Sequence, residues 1–270
     1  MPTTPLLLIH GAWHDHRQWN DLLPLLLRRN IPATSIDLPG HGEHELPPLP
    51  DGRSAHAELT LNEAAHAVLD AAVDRPIVVA HSMSGPVVTR AVEIAPEKFC
   101  GVIYLTAFVP VARATASAYL SAPEASKPDS GNIFVADPAE VGAFRINPYS
   151  ESPEYLDALR EAFYTDLELD DLDELRARLS PDLPLSFVSD SPFATREHWG
   201  SVPRGFIRCT GDRTLPIALQ DLMIREADDF APSNRFRVRE VDASHSPFLS
   251  RPAELANLLA DLAAEIVRAS

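Results

Sequence analysis

Apolar and polar positions along this chain follow two alternating rhythms. Leu6-Leu7-Leu8-Ile9, Ile77-Val78-Val79-Ala80 and Gly101-Val102-Ile103-Tyr104-Leu105 are short continuous apolar runs with no polar face. Runs of that kind mark strands covered on both sides. Between them the apolar residues fall three or four apart: Trp19, Leu22, Leu23 and Leu26 within 15–29, then Leu61, Ala64, Ala65, Val68, Leu69 and Ala72. That spacing predicts two helices, and Thr60-x-x-Glu63 is a capping box that opens the second. Residues 33–37 predict another strand, stopped by Leu38-Pro39-Gly40-His41-Gly42, with a proline-rich loop at Pro47, Pro48 and Pro50 beyond it.

Strand and helix in alternation predict a parallel sheet with helices on both faces. The rhythm fails from 110 to 201, where helical patches at 154–163 and 169–179 are separated by Pro, Ser and Gly segments. It resumes with a strand at 205–209, a helix at 217–227, a strand at 236–241 and a closing helix at 252–268. The pattern therefore predicts an α/β fold: a mostly parallel, doubly wound sheet from 1–109 and 202–270, with a helical cap inserted at 110–201. The acidic stretch 166–174 reads as a solvated helix face.

A length of 270 residues suits one such domain with an insertion better than two independent domains. A formal net charge of −16 argues against nucleic acid or an anionic membrane surface as partner. No apolar run reaches membrane-spanning length. Cys100 and Cys209 lie inside apolar runs and read as buried thiols in a reducing, cytoplasmic setting. Residues 1–5 carry no basic region of a signal peptide.

The junction Ala80-His81-Ser82-Met83-Ser84-Gly85 joins a strand to the helical run that begins at Pro86. A strand that stops at a serine and turns at once into a helix lifts the hydroxyl out of the sheet, and the helix N-terminus favours negative charge there. Both glycines of the usual G-x-S-x-G pattern are replaced, by Ala80 and Ser84. A serine nucleophile needs a base within hydrogen-bond reach and a group that orients the base. In an open parallel sheet such groups belong just past the carboxyl ends of strands. Asp212 follows one predicted strand and His245 follows the last, so the order is Ser, Asp, His.

Each has a plainer reading. Taken alone, Ser82 also reads as a strand-end serine, Asp212 as a turn cap with Asp190 as the competing acid, and His245 as a packed loop histidine, but the three at strand ends in this order favour the triad. His81 is expected to face the sheet and His10 to shape the first loop. His14, His16, His41 and His44 match no zinc spacing, so no metal is predicted.

Six further motifs follow in order: His10-Gly11-Ala12-Trp13 with Trp19, Asp37-Leu38-Pro39-Gly40-His41-Gly42, Tyr104-Leu105-Thr106-Ala107-Phe108-Val109-Pro110, Phe163-Tyr164-Thr165-Asp166, Cys209-Thr210-Gly211-Asp212 and His245-Ser246-Pro247-Phe248. With Ser82 they resemble the α/β-hydrolase superfamily, in the branch of plant methyl esterases, hydroxynitrile lyases and EstC-like carboxylesterases. The resemblance implies an oxyanion hole from the backbone N–H groups of Ala12 and Met83, with Gly11 letting the backbone approach the substrate. It implies substrate contacts among Gly11, Trp13, His81, Phe108, Phe163 and Tyr164, no cofactor, a small-molecule ester as substrate, and a homodimer. The aromatics of the insertion (Tyr119, Phe134, Phe144, Phe163, Tyr164) read as core or pocket.

The activity implied is a serine esterase acting on a small to medium apolar substrate through an acyl-enzyme. A lactonase, thioesterase or cyclase would use the same triad, and a ligand-binding protein on this fold would keep it without turnover. A hydroxynitrile lyase is the remaining alternative. In this family that activity goes with a threonine where Gly11 stands and a lysine where Ser246 stands.

Overall fold

The computed structural model describes residues 4–47, 49–125 and 133–269, with the side chains of 169–171 and 174 left aside. The chain start at 1–3 and Pro48 of the proline-rich loop lie outside the described residues. In chain order the strands are β1 Leu6–Ile9, β2 Ala33–Ile36, β3 Ile77–His81, β4 Gly101–Leu105, β5 Ala143–Arg145, β6 Asp182–Pro184, β7 Arg204–Cys209 and β8 Arg237–Val241. Six of them form one parallel sheet in the order β2-β1-β3-β4-β7-β8. β5 and β6 pair antiparallel on their own.

The period of two along each strand distributes the apolar runs between two cores. Leu6, Leu8, Ile77, Val79, Ile103 and Leu105 face the closing helix Pro252–Ala269, meeting Leu255, Leu259, Leu262 and Ile266. Leu7, Ile9, Val78, Val102 and Tyr104 face the helices Leu61–Ala71 and Ser84–Ile94 through Ala65, Val68, Val88 and Val92. Both faces are buried, which is why these strands carry no polar side. The Thr60–Glu63 capping box is formed in both directions at the start of Leu61–Ala71.

The predicted helix over 15–29 is divided. A 3₁₀ turn at His16–Trp19 is followed by a short helix Leu23–Leu27 with Pro24 in its first turn. Proline has no N–H to give the carbonyl one turn back, so a single helix cannot run through that position. In the insertion the helices Pro153–Phe163 and Leu169–Arg176 form near the predicted patches. The β5–β6 pair was not anticipated: three residues per strand are too few to display a period. No helix among the described residues is long and apolar enough to cross a membrane.

Sheet order decides where chemistry can sit. From β1 the chain moves outward to β2 and returns on the other side of β1 as β3. A crevice opens above the carboxyl ends of strands where the order reverses in this way. The loops after β1 and β3 line it, and they carry Gly11-Ala12 and Ser82-Met83.

Candidate active site

Ser82 sits between β3 and the helix Ser84–Ile94 with φ +54°. A residue with a side chain in this left-handed region costs about 1–2 kcal/mol. The conformation is held from outside, because the Ser82 carbonyl accepts the N–H groups of Gly85 and Phe108, each at 3.1 Å. Ala80 is fully buried in the sheet. Ser84 is buried as well, and its hydroxyl donates to the His81 carbonyl at 2.8 Å and the Ile9 carbonyl at 3.2 Å. The close approach that demands glycine falls one position later. A Cβ on Gly85 would lie 1.9 Å from the Phe108 carbonyl oxygen.

Asp212 follows β7 and His245 follows β8, and the fold brings both to Ser82. His245 Nδ1 donates to Asp212 Oδ2 at 2.6 Å, which leaves Nε2 to accept the Ser82 hydroxyl at 2.8 Å. Asp212 is ringed by donors: its Oδ1 accepts the N–H groups of Thr214 (2.8 Å) and Leu215 (2.9 Å), and its Oδ2 also accepts the Thr106 hydroxyl at 2.5 Å. Asp190, the competing acid of the sequence reading, is exposed and bonded within its own turn.

On the other side of Ser82 lies the loop after β1. A Cβ on Gly11 would come within 2.6 Å of His81 Nδ1 and 3.1 Å of Ser82 Cβ, so only glycine fits against the elbow. The N–H groups of Ala12 and Met83 have no acceptor among the described residues. Two histidines set the peptides flanking Ala12. His10 Nε2 accepts the Leu38 N–H at 3.0 Å, so its Nδ1 carries the proton and donates to the Gly11 carbonyl at 2.8 Å. The Gly11 C=O and Ala12 N–H point in opposite directions across one trans peptide, so holding the first aims the second. His14 Nδ1 likewise donates to the Ala12 carbonyl at 2.7 Å. Burial depresses both imidazole pKa values, that of His14 to about 4.

Comparison with known proteins identifies the family. A model of the alpha/beta hydrolase family matches residues 6–258. The chain belongs to that family. It is 26% identical over 263 residues to a pyrethroid hydrolase of Sphingobium wenxiniae, covering 97% of this chain and 89% of that protein. It is 26% identical over 265 residues to methylesterase 10 of Arabidopsis thaliana, with 96% and 91% covered. A crystal structure of a pyrethroid hydrolase superposes with a TM-score of 0.77 at 25% identity, covering 97% of this chain and 98% of that one. A methylesterase structure from Arabidopsis shares the fold with a TM-score of 0.73 at 22% identity, covering 97% and 100%.

The remaining expected contacts of this hydrolase divide in two. Trp13 (φ +60°) and Phe163 line up beside His245: their rings are 5.6 Å apart, and Phe163 lies 5.9 Å from the His245 ring. Phe134 and Phe144 continue the row, with Phe134 6.1 Å from Trp13 and 5.5 Å from Phe144. His81, Phe108 and Tyr164, expected as substrate contacts, are placed otherwise. His81 is fully buried beneath Gly11 and donates Nε2–H to the His245 carbonyl at 2.9 Å; burial, and then the neighbouring histidines, push its pKa well down. Phe108 is buried and meets the elbow through its backbone. Tyr164 is buried with its hydroxyl on His14 Nε2 at 2.7 Å, and burial raises its pKa.

Three participants escaped the sequence reading. Thr106, at the end of β4 with φ +36°, supports Asp212; its place at a strand end was the available signal. The sequence marks His14 only as a candidate metal ligand. The sequence pattern reads Asp166 as part of a solvated helix face, but it precedes the helix Leu169–Arg176 and accepts both the N–H (2.9 Å) and the hydroxyl of Ser244, the residue before His245. Burial opposes its ionisation, and the bonds from Ser244 outweigh that, so its pKa lies below the ordinary value.

Asp15, His16 and Asp37 are a group whose ligand atoms lie within 4.8 Å of one another. Its carboxylates are already engaged, Asp15 by Arg17 and Asp37 by His16 and the Glu43 N–H.

Proposed function

We propose that this ester hydrolase cleaves a carboxylic ester of a small to medium apolar substrate through an acyl-enzyme on Ser82. The observation that carries the reading is the hydrogen-bonded line Ser82–His245–Asp212, with the N–H groups of neighbouring Met83 and of Ala12 in the adjacent loop left without an acceptor among the described residues. Ser82 Oγ attacks the ester carbonyl carbon while its proton passes to His245 Nε2. The imidazolium so formed is stabilised by Asp212, which also keeps Nδ1 protonated. Negative charge on the former carbonyl oxygen lies between the N–H groups of Ala12 and Met83, each contributing about 3 kcal/mol of barrier reduction. Collapse expels the alkoxide, which takes the proton from His245. Water then attacks the acyl-enzyme by the same steps in reverse, releasing the acid and restoring Ser82.

The aromatic row from His245 through Phe163 and Trp13 to Phe134 supports an apolar substrate. A lyase reading has less support. The position after His245 holds Ser246, fully buried, which offers no cation to a departing cyanide.

Turnover of short p-nitrophenyl esters, compared between the natural chain and Ser82→Ala, tests the reading. Activity lost in Ser82→Ala, with labelling of Ser82 by a fluorophosphonate, is expected. Turnover unchanged by the substitution removes Ser82 from its role, and no turnover with no labelling removes the esterase reading altogether.

A further inference from the structure

Three loops of this site, those after β1, β7 and β8, touch one short piece of the insertion, the end of the helix Pro153–Phe163 and the three residues beyond it. Glu161 pairs with Arg213, and the Ala162 carbonyl accepts the Thr214 hydroxyl at 2.5 Å, so the loop of Asp212 is held. Asp166 holds Ser244 through both of its oxygens, beside His245. Tyr164 donates its hydroxyl to His14 Nε2, which reserves the Nδ1 proton of His14 for the Ala12 carbonyl. The sheet cannot supply this registration by itself: β1 and β8 have β3, β4 and β7 between them.

We propose that Tyr164 and Asp166 are positioning residues for ester hydrolysis. Tyr164, through His14, fixes the loop that bears the Ala12 donor, and Asp166, through Ser244, fixes the loop that bears His245. The inference rests on the esterase reading of Ser82. Neither residue touches the reacting atoms. Their effect is geometric, because a donor or base displaced by a fraction of an ångström loses much of its value in a preorganised site. His245 is gripped from two directions: Asp166 holds the preceding residue, and the buried His81 holds its own carbonyl. Burial keeps His14 neutral, so its Nε2 is available as the acceptor for Tyr164.

The test separates positioning from ordinary stapling of insertion to core. Tyr164→Phe, Asp166→Ala and Asp166→Asn are compared in the full chain with Tyr155→Phe. Tyr155 also bonds within the insertion, donating to the Ile133 carbonyl at 2.7 Å, but contacts no catalytic loop. For p-nitrophenyl ester hydrolysis, Tyr164→Phe and Asp166→Ala are expected to lower kcat about tenfold, with KM within about twofold. Asp166→Asn, which keeps one acceptor oxygen, recovers part of the loss, and Tyr155→Phe retains the natural kcat. If Asp166→Ala does not fold, Tyr164→Phe and Asp166→Asn carry the comparison. Natural kcat in those variants, or a loss matched by Tyr155→Phe at an equal drop in melting temperature, overturns the positioning roles alone. Turnover that survives Ser82→Ala removes Ser82 from its role, turnover absent from the natural chain overturns the esterase reading, and either outcome takes the positioning roles with it.

Discussion

The Ser84 hydroxyl donates to the carbonyl oxygen of Ile9 at 3.2 Å. Ile9 ends β1 and leads directly into His10-Gly11-Ala12, while Ser84 stands two residues past Ser82. A side chain at a position where the family pattern has glycine therefore joins the turn at Ser82 to the loop that carries Ala12. It also closes on the His81 carbonyl at 2.8 Å, tying down the last turn of backbone before Ser82. Ser84→Ala leaves both carbonyls short of a donor. Unfolding in urea should show a loss of about 1 kcal/mol, and kcat should fall severalfold. A variant equal to the natural chain in both measurements means that the hydroxyl merely fills space.

Gly85 carries the constraint that the usual elbow glycine would have carried. Gly85→Ala places a methyl group on the Phe108 carbonyl, which is backbone and cannot swing aside. The helix must shift and take Ser82 with it. Ester turnover should drop about a hundredfold, the order expected for a displacement near 1 Å, and fluorophosphonate labelling should slow in parallel. Unimpaired labelling would show that the elbow tolerates the methyl group.

Asp212 and Thr106 act on His245 to different extents. Asp212→Asn presents an amide where an acceptor for Nδ1–H is needed, favouring the wrong tautomer, and should cost about 10⁴-fold in kcat. Thr106→Val removes one of several donors to Asp212 and should cost about tenfold. Rate constants for the two variants under one set of conditions test the ranking. A Thr106→Val loss as large as that of Asp212→Asn would contradict it.

Buried neutral histidines make the fold sensitive to acid. His14 titrates near pH 4 when folded because burial disfavours its charge, against an ordinary value of 6.5. Above pH 6.5 neither state holds the proton and stability is flat with respect to this group. Between 6.5 and 4 the unfolded chain binds a proton that the folded chain refuses, so stability falls as pH falls. His14 alone accounts for about 3 kcal/mol over that window. Burial lowers His10, His41 and His81 in the same direction. Urea midpoints measured from pH 8 to 4.5 should decline below about 6.5, and a level profile would refute this.

What the sequence determined by itself was whatever a local pattern can express. Burial on two faces writes continuous apolar runs, so β1, β3 and β4 were legible and the α/β class followed. Strand ends are local too, which is why Ser82, Asp212 and His245 stood out before any geometry was known. What the tertiary structure decided were pairings across long separations: Thr106 with Asp212 over 106 positions, Tyr164 with His14 over 150, Asp166 with Ser244 over 78 and His81 with the His245 carbonyl over 164. Such bonds depend on placement to a few tenths of an ångström, which arises only when the insertion packs back onto the loops. Periodicity reports which face of an element is buried, and it carries nothing about the distant atom waiting there. Tyr164 could therefore be expected as substrate wall and Asp166 as solvated surface, while both hold the loops of the site.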